Sequence, residues 1–344
     1  MIKYKELKQK SKELERKYQL NHYELLQRFM FERILERISV SKYQENFILK
    51  GGLLLSALFG INNRTTRDMD TTIKGLDISK EQMVKVLNEI LNIDLKDGVK
   101  FELVDVTDIR EEDEYGGNKY HLIGKLENLK INLDIDISTG DKVVPKELEY
   151  SYPSLFENKK ILIYTYNAET IISEKIETIL RRGLYNSRMK DYYDIHMFLS
   201  KFKDNIDINI LKLSIKNTFD KRESFDYLKD YEQILDGISS YDRIVRLWNG
   251  YAKKNKYAND IKFEEIIKEI KRIYFKFRHR NFNCLSRKGE YMIYFIADTH
   301  FNHANIIKYC NTLVGNLNGR KILMCFLWCS WLYTCKYKQN WKYS

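Results

Sequence analysis

The sequence contains only two prolines in 344 residues, and no cysteine occurs before position 284. Cys325 and Cys329 could serve as metal ligands, but no second pair of cysteines has the spacing of a zinc site, so we set a zinc site aside. The confinement of all five cysteines to the last part of the chain indicates that this part has a different origin from the rest.

Long apolar runs are also missing. No stretch is long enough to span a bilayer, and the first residues, MIKYKELKQKSKELERKYQL, are charged throughout rather than typical of a signal peptide. The sequence therefore predicts a cytoplasmic protein with no membrane segment.

Positive charge is in excess. Lys and Arg number 59 against 48 Asp and Glu, which gives a formal net charge of +11. This favours a polyanionic partner or substrate, although a Lys-rich composition can equally be a general habit of a genome.

The most informative stretch runs from residue 46 to residue 70, NFILKGGLLLSALFGINNRTTRDMD. Its pattern predicts a short strand, a Gly51-Gly52 turn, a helix that ends at Gly60, and a second strand. A helix that begins directly after glycines offers free backbone N–H groups to a phosphate. Asp68 and Asp70 point to the same side of the second strand, and two carboxylates held close favour a bound cation such as Mg²⁺.

These features in this order resemble the nucleotidyltransferase signature, a G-[GS] turn followed after a helix by D-x-D. More narrowly, KGG…L…G…RxTxDxD resembles the AbiEii/AbiGii toxin family of nucleotidyltransferase-like proteins. The resemblance implies nucleotide binding by Gly51, Gly52, Arg64 and Thr66. Where many members of the superfamily have Ser, this chain has Gly52, so we expect its phosphate contact to come from the backbone N–H.

A predicted hairpin over 120–126 and 129–137, with Glu127-Asn128 at its turn, supplies a third carboxylate. Its second strand alternates apolar residues with Asn132, Asp134, Asp136 and Ser138. A polymerase-type site needs such a carboxylate on a neighbouring strand. DISTGD resembles the family's D-I-x-x-G-D segment, which selects Asp136 as the third metal ligand and leaves Asp134 as an ordinary half-exposed residue.

Two predicted helices, over 167–182 and from Ser187 onward, resemble the E-x-x-x-x-E-K-[LI] and R-x-K-D-x-x-D motifs of the same family. The resemblance implies that Lys175 contacts the triphosphate and that Asp191 completes the catalytic set. Arg188 and Lys190 would lie near the phosphates, which suits Lys as a compact charge and Arg as a planar fork. The alternative is a structural salt bridge between Lys175 and Asp191. We also expect a structural role for Asp194, a further carboxylate of the second motif.

The pattern predicts an α/β (α+β) nucleotidyltransferase-fold core with a mixed sheet, followed by a helical domain. We divide the chain into an N-terminal helix over 1–20, the core over 21–200, the helical domain over 201–277 and an atypical tail over 278–344. Residues 292–311 resemble the start of a calcineurin-like metallophosphoesterase, with Asp298, His300 and His303 in its first metal motif. Later motifs of that family are missing, so we interpret the tail as a truncated or frameshifted second gene.

The resemblance implies a toxin of a toxin–antitoxin or abortive-infection system for phage defence. The expected chemistry is transfer of a nucleoside monophosphate from an NTP to an acceptor, with two Mg²⁺ ions held by Asp68, Asp70 and Asp136. The net charge favours tRNA as that acceptor, and the family implies a cognate antitoxin. Two alternatives remain open: nucleotidylation of a protein, including the antitoxin, and a nucleotide-binding regulator without turnover.

Overall fold

The computed structural model describes residues 3–76, 79–109, 117–139, 143–278, 314–317 and 320–323. By its internal contacts the chain divides into a compact unit over Met1–Tyr274 and a second unit over Phe275–Ser344. The predicted metallophosphoesterase-like segment, residues 292–311, lies outside the described residues, as do all five cysteines.

Helices follow the amphipathic patterns of the sequence. Their bounds are α1 Tyr4–Tyr18, α2 His22–Ser39, α3 Gly51–Phe59, α4 Lys80–Leu91, α5 Ala168–Arg182, α6 Met189–Lys201, α7 Ile208–Lys221, α8 Phe225–Lys229, α9 Tyr231–Ser240, α10 Asp242–Lys254 and α11 Phe263–Arg278. The strands are β1 Phe47–Lys50, β2 Asp68–Ile73, β3 Val99–Asp108, β4 Gly117–Leu126, β5 Leu129–Thr139, β6 Leu148–Pro153, β7 Lys160–Thr165, β8 Val314–Leu317 and β9 Arg320–Leu323.

Strands β1 to β7 form one mixed sheet in the order β3-β4-β5-β2-β1-β7-β6. Strand β2 lies at its centre, antiparallel to β1 and parallel to β5. The inward-facing residues of these central strands are almost completely buried, with Ile48 and Met69 at 0% exposure. The predicted mixed α/β core with a following helical part is therefore confirmed, and β2 and β5 lie side by side in the sheet.

Helix ends match the capping residues of the sequence. The Asn167 side chain accepts a hydrogen bond from the Thr170 N–H at the start of α5, and Ser79 accepts one from Gln82 at the start of α4. Helix α4 begins at Lys80, directly after this Ser79 cap.

The segment between β5 and β7 contains a strand, β6, that the sequence analysis did not predict. Strand β6 pairs antiparallel with β7 at the edge of the sheet, and Pro153 is its last residue. A proline is tolerated at the end of an edge strand because the missing N–H is not needed by a neighbouring strand. Strand β6 has mostly exposed residues, so its sequence lacks a clear apolar alternation.

Among the described residues, none of the helices combines the length and the apolar character that crossing a membrane requires.

Candidate active site

Three carboxylates meet in the middle of the sheet because of strand register. In the parallel pair of β2 and β5, Asp70 lies opposite Asp136 and Asp68 opposite Asp134. Side chains two apart on a strand share a face, so both aspartates of β2 stand beside the acidic face of β5. Oxygen atoms of Asp68, Asp70 and Asp136 all lie within 4.8 Å of one another. The sequence-predicted triad is thus assembled in space.

The electrostatics of this triad are unfavourable without a cation. Burial, together with the charges of Asp68 and Asp136, raises the pKa of Asp70 to about 6. Burial also raises the pKa of Asp136. Its Oδ1 atom is buried and lies 2.8 Å from the Lys119 ammonium, which offsets part of the effect of burial. Three clustered carboxylates fit a hard divalent cation, which Asp68, Asp70 and Asp136 would hold.

The Gly51-Gly52 turn brings the backbone against the triad. Gly51 has a φ of +64°, and a Cβ atom placed there would lie 1.9 Å from Asp70 Oδ2. At Gly52 a Cβ would lie 2.4 Å from Thr66 Oγ1. Both positions therefore require glycine, for conformation and space at Gly51 and for space at Gly52.

Two hydrogen bonds orient the carboxylates of β2. The Gly52 N–H donates to Asp70 Oδ2 at 3.2 Å, and the Thr66 hydroxyl donates to Asp68 Oδ1 at 2.5 Å. In this structure the Gly52 N–H, which we expected to contact a phosphate, donates to Asp70, a candidate metal ligand. The glycine turn and Thr66 therefore hold the two carboxylates of β2 in position.

A network of buried ion pairs joins α5 and α6 to the loop before β2. Lys175 Nζ lies 2.6 Å from Asp191 Oδ1 and 2.9 Å from Asp194 Oδ2. Arg64 Nε lies 2.8 Å from Asp194 Oδ1, and Arg188 Nε lies 3.0 Å from Asp191 Oδ2. The Asp194 side chain is 0% exposed, so a structural role for it agrees with the expectation.

The interhelical salt bridge that we weighed as an alternative for Lys175 and Asp191 is therefore present. Burial alone would lower the pKa of Lys175, but the Asp191 and Asp194 carboxylates outweigh it and raise that pKa. Burial would likewise raise the pKa of Asp191, but Lys175 and Arg188 lower it. Both side chains are therefore held in their charged forms. A contact of Lys175 with a triphosphate stays a prediction.

Two cavities meet at the triad. One, of about 640 Å³, is lined on one side by Gly51, Gly52, Asp68 and Asp70 and on the other by helix α10. Its lining includes the nucleotide-binding residues predicted from the sequence, namely Arg64, Thr66, Lys175, Arg188 and Lys190. The other cavity, of about 560 Å³, reaches Asp136, Lys119 and Lys50. Asp68 and Asp70 line both of these cavities, and Asp136 lines the second.

Sequence reasoning missed four cations at this site, one of which is Lys50, the last residue of β1. Lys119 Nζ on β4 lies 2.8 Å from Asp136 Oδ1, while Arg246 and Lys254 on α10 line the larger cavity. Lys119 could have been found from the register of the β4–β5 hairpin, in which it lies opposite Asp136. The two residues of α10 gave no signal, because their helix lies far along the chain from the aspartates.

Residues 33–279 match the family model described as "Nucleotidyl transferase AbiEii toxin, Type IV TA system". The chain belongs to the AbiEii nucleotidyltransferase toxin family. The match contains the Gly51-Gly52 turn, all three aspartates and the ion-pair network of α5 and α6. Residues 1–32, which contain α1 and the start of α2, precede it.

Solved structures with a similar fold have low sequence identity to the AbiEii-family chain. JHP933 from Helicobacter pylori is 19% identical, with a TM-score of 0.41, over 76% of this chain and 95% of that one. ANT(2″)-Ia, solved in complex with adenylyl-2″-tobramycin, is 12% identical, with a TM-score of 0.33, over 57% of this chain and 98% of that one.

One further relative is similar over a short segment alone. It is the uncharacterized protein MJ1445 from Methanocaldococcus jannaschii, 72% identical over 25 residues. The alignment covers 7% of this chain and 14% of the length of that relative.

Proposed function

We propose that this chain is a divalent-metal-dependent nucleotidyltransferase that moves a nucleoside monophosphate from an NTP to tRNA and acts in the cytoplasm as the toxin of a toxin–antitoxin pair. The observation that carries the proposal is the meeting of Asp68, Asp70 and Asp136 beside the Gly51-Gly52 turn. Membership of the AbiEii family supports the chemistry and the existence of an antitoxin. We further propose that the toxin serves phage defence by abortive infection.

The residues divide the work of the transfer. Lys175, Arg188 and Lys190 would bind and orient the triphosphate in the cavity of about 640 Å³. Asp191 would hold Lys175 in place through their ion pair of 2.6 Å. Asp136, on the side of the second cavity, would orient the attacking hydroxyl group. Mg²⁺, proposed as two ions held by the triad, would supply Lewis-acid stabilisation of the charge that develops on the phosphoryl group.

The acceptor is proposed from charge. The net charge of +11 favours a polyanion, and tRNA combines that charge with a free terminal hydroxyl group. Three carboxylates at one site argue against a regulator that binds nucleotide without turnover, because their mutual repulsion is a cost that a binding module has no reason to keep.

The test is to incubate the full chain with Mg²⁺, each α-³²P-labelled NTP in turn, and total tRNA. We expect label on tRNA, and we expect Asp68→Ala and Asp70→Ala to reduce its rate by at least about 100-fold. Asp134→Ala is the matched control, because Asp134 shares the acidic face of β5 but lies outside the triad.

Other outcomes are equally informative. Label on the polypeptide instead of tRNA would identify a protein as the acceptor. NTP binding without transfer to tRNA or to protein would contradict an enzymatic function. Loss of labelling in Asp134→Ala equal to that in Asp70→Ala would contradict the triad assignment.

A further inference from the structure

A third cavity, of about 840 Å³, adjoins the site on the side of Asp68. It is lined by the end of α1, the start of α2, the loop before β2 and the end of α10. Its charged lining is mostly basic, with five cations, Lys17, Arg67, Lys190, Lys254 and Lys256, and two carboxylates, Glu24 and Asp68. We call this cavity the basic groove.

Few of these cations are neutralised. Arg67 pairs with Glu24 at 2.9 Å, and Lys256 donates to the neutral Gln19 side chain at 3.0 Å. Within the part of the chain that the structure describes, neither Lys190 nor Lys254 has an acidic partner at salt-bridge distance. The groove therefore carries a net positive charge that an anionic ligand would neutralise.

The basic groove and the nucleotide cavity are neighbours. Thr66, Asp68, Lys190 and Lys254 line both of them. At about 640 Å³ the nucleotide cavity has the volume of an ordinary small-molecule site. Lys17, Arg67 and Lys256 lie beyond this cavity, where the phosphates of a single bound nucleotide would not reach them. Their positions fit a longer polyanion.

One wall of the basic groove comes from helix α1, before the segment that matches the family. Helix α1 is packed firmly, with Leu7 at 1% and Ser11 at 0% exposure. Ser11 Oγ also lies 3.0 Å from His22 Nδ1 of α2. Lys17, whose ammonium lies 4.9 Å over the ring of Tyr18, is thus presented from a fixed helix end.

We propose that the basic groove binds the sugar-phosphate backbone of the acceptor nucleic acid next to its reacting end, and that α1 is part of this surface. The proposal rests on the proposed function. Unpaired lysines attract phosphates by charge, and the half-buried Tyr18 offers an aromatic face to a base. An acidic protein would need the charges but not the aromatic ring.

The test measures binding rather than turnover. Fluorescence anisotropy of labelled total tRNA, and of a labelled single-stranded RNA of about 12 nucleotides, gives the Kd at several salt concentrations. We expect Lys17→Glu/Lys256→Glu to raise both Kd values at least about tenfold and to reduce the salt slope by about 2. Tyr18→Ala should weaken binding of the single-stranded RNA by about fivefold or more with little change in salt slope.

Lys12→Glu is the matched control. Lys12 is an exposed lysine of the same helix that lines none of the three cavities, and it should leave both Kd values unchanged within about twofold. The KM for NTP should also stay unchanged in the double variant, because neither Lys17 nor Lys256 lines the nucleotide cavity.

Three results would overturn the proposal: an unchanged Kd in the double variant, an equal loss in Lys12→Glu, or competition by poly-glutamate as strong as that by unlabelled RNA. These results are separate from the fate of the proposed function. RNA binding that depends on Lys17 and Lys256, without any nucleotidyl transfer, would support the groove proposal and contradict the proposed function. Transfer to tRNA with wild-type affinity in the double variant would support the proposed function and contradict the groove proposal.

Discussion

Lys119 Nζ lies 2.8 Å from Asp136 Oδ1, so a lysine of β4 sits against the third carboxylate of the triad. Both side chains are partly exposed, at 30% and 22%, and face the cavity of about 560 Å³. An ammonium group and a divalent cation cannot both stay close to one carboxylate without repelling each other. A metal ion bound at Asp136 would therefore have to displace Lys119.

Replacing Lys119 by Met should strengthen metal binding to the nucleotide-free protein. We expect the Kd for Mn²⁺, measured by electron paramagnetic resonance, to fall by about threefold to tenfold, because a competing positive charge is removed. Lys125→Met is the matched control, since Lys125 lies on the same strand and pairs with Glu102 away from the triad. Unchanged or weaker Mn²⁺ binding in Lys119→Met would contradict competition between the lysine and the metal.

The contact between Lys119 and Asp136 could have been derived from the sequence. The two-residue turn at Glu127-Asn128 was predicted, and it fixes the antiparallel register of β4 and β5. Counting back from that turn places Lys119 opposite Asp136. The partnership of Asp70 with Asp136 is different, because β2 and β5 are parallel and separated by many residues, so no local turn sets their register.

Asp70→Asn should stabilise the metal-free protein at neutral pH. The pKa of Asp70 is raised from its ordinary 3.8 to about 6, so the folded state holds the proton more tightly than the unfolded state. A raised pKa contributes stability that is complete below pH 3.8 and is lost as the pH rises through about 6. The cost of the buried charge is therefore greatest above pH 6, where Asn removes it.

The measurement is thermal unfolding in EDTA. At pH 7.5 the Tm of Asp70→Asn should exceed that of the wild type by several degrees, and near pH 4 the two should converge. Asp134→Asn should show no such gain, because the Asp134 side chain is 45% exposed and already has a hydrogen-bond partner in His121 Nδ1 at 2.8 Å. A gain for Asp70→Asn that persists at low pH would rule out titration of the carboxylate as its cause.

Gly51→Ala should disable the site more than it destabilises the fold. An added Cβ would lie 1.9 Å from Asp70 Oδ2, and the backbone at Gly51 has a φ of +64°. The carboxylate has to move, so we expect Mn²⁺ binding to weaken by at least about tenfold and transfer to be lost. Gly75→Ala separates the two effects, because Gly75 has a φ of +71° but its added Cβ would meet nothing closer than 3.7 Å.

Gly75→Ala should cost about 1 kcal/mol of stability from the left-handed backbone and leave Mn²⁺ affinity unchanged. Equal Mn²⁺ affinities in the two variants would show that the close approach of Gly51 to Asp70 is not needed for the site.

The ion-pair network of α5 and α6 shows why motif resemblance alone could not assign roles. Lys175 carries the signature of a triphosphate ligand, yet it also holds the buried carboxylates of Asp191 and Asp194. Sequence spacing could suggest both roles but could not show that Arg64, far from either helix in sequence, shares Asp194. Such a partnership is set by tertiary packing, which has no local pattern.

Arg64→Met should be the most destabilising change in this network. Its guanidinium is only 6% exposed and contacts both carboxylate oxygens of Asp194, at 2.8 and 3.3 Å. Removing one partner of a buried pair typically costs about 3–5 kcal/mol, because the remaining charge loses its compensation. Lys175→Met should cost less, because Arg64 still holds Asp194 and Arg188 still holds Asp191.

Urea unfolding of Arg64→Met and Lys175→Met measures the free energy of unfolding of each variant. The KM for NTP distinguishes a structural role of Lys175 from a role in binding the triphosphate. If Lys175 contacts the triphosphate, Lys175→Met should raise the KM at least about tenfold while the protein remains folded. If Lys175 serves only the ion pairs, its variant should lose stability with an unchanged KM. Arg64→Met should show the larger loss of unfolding free energy, and lowering the temperature should restore part of its folded population.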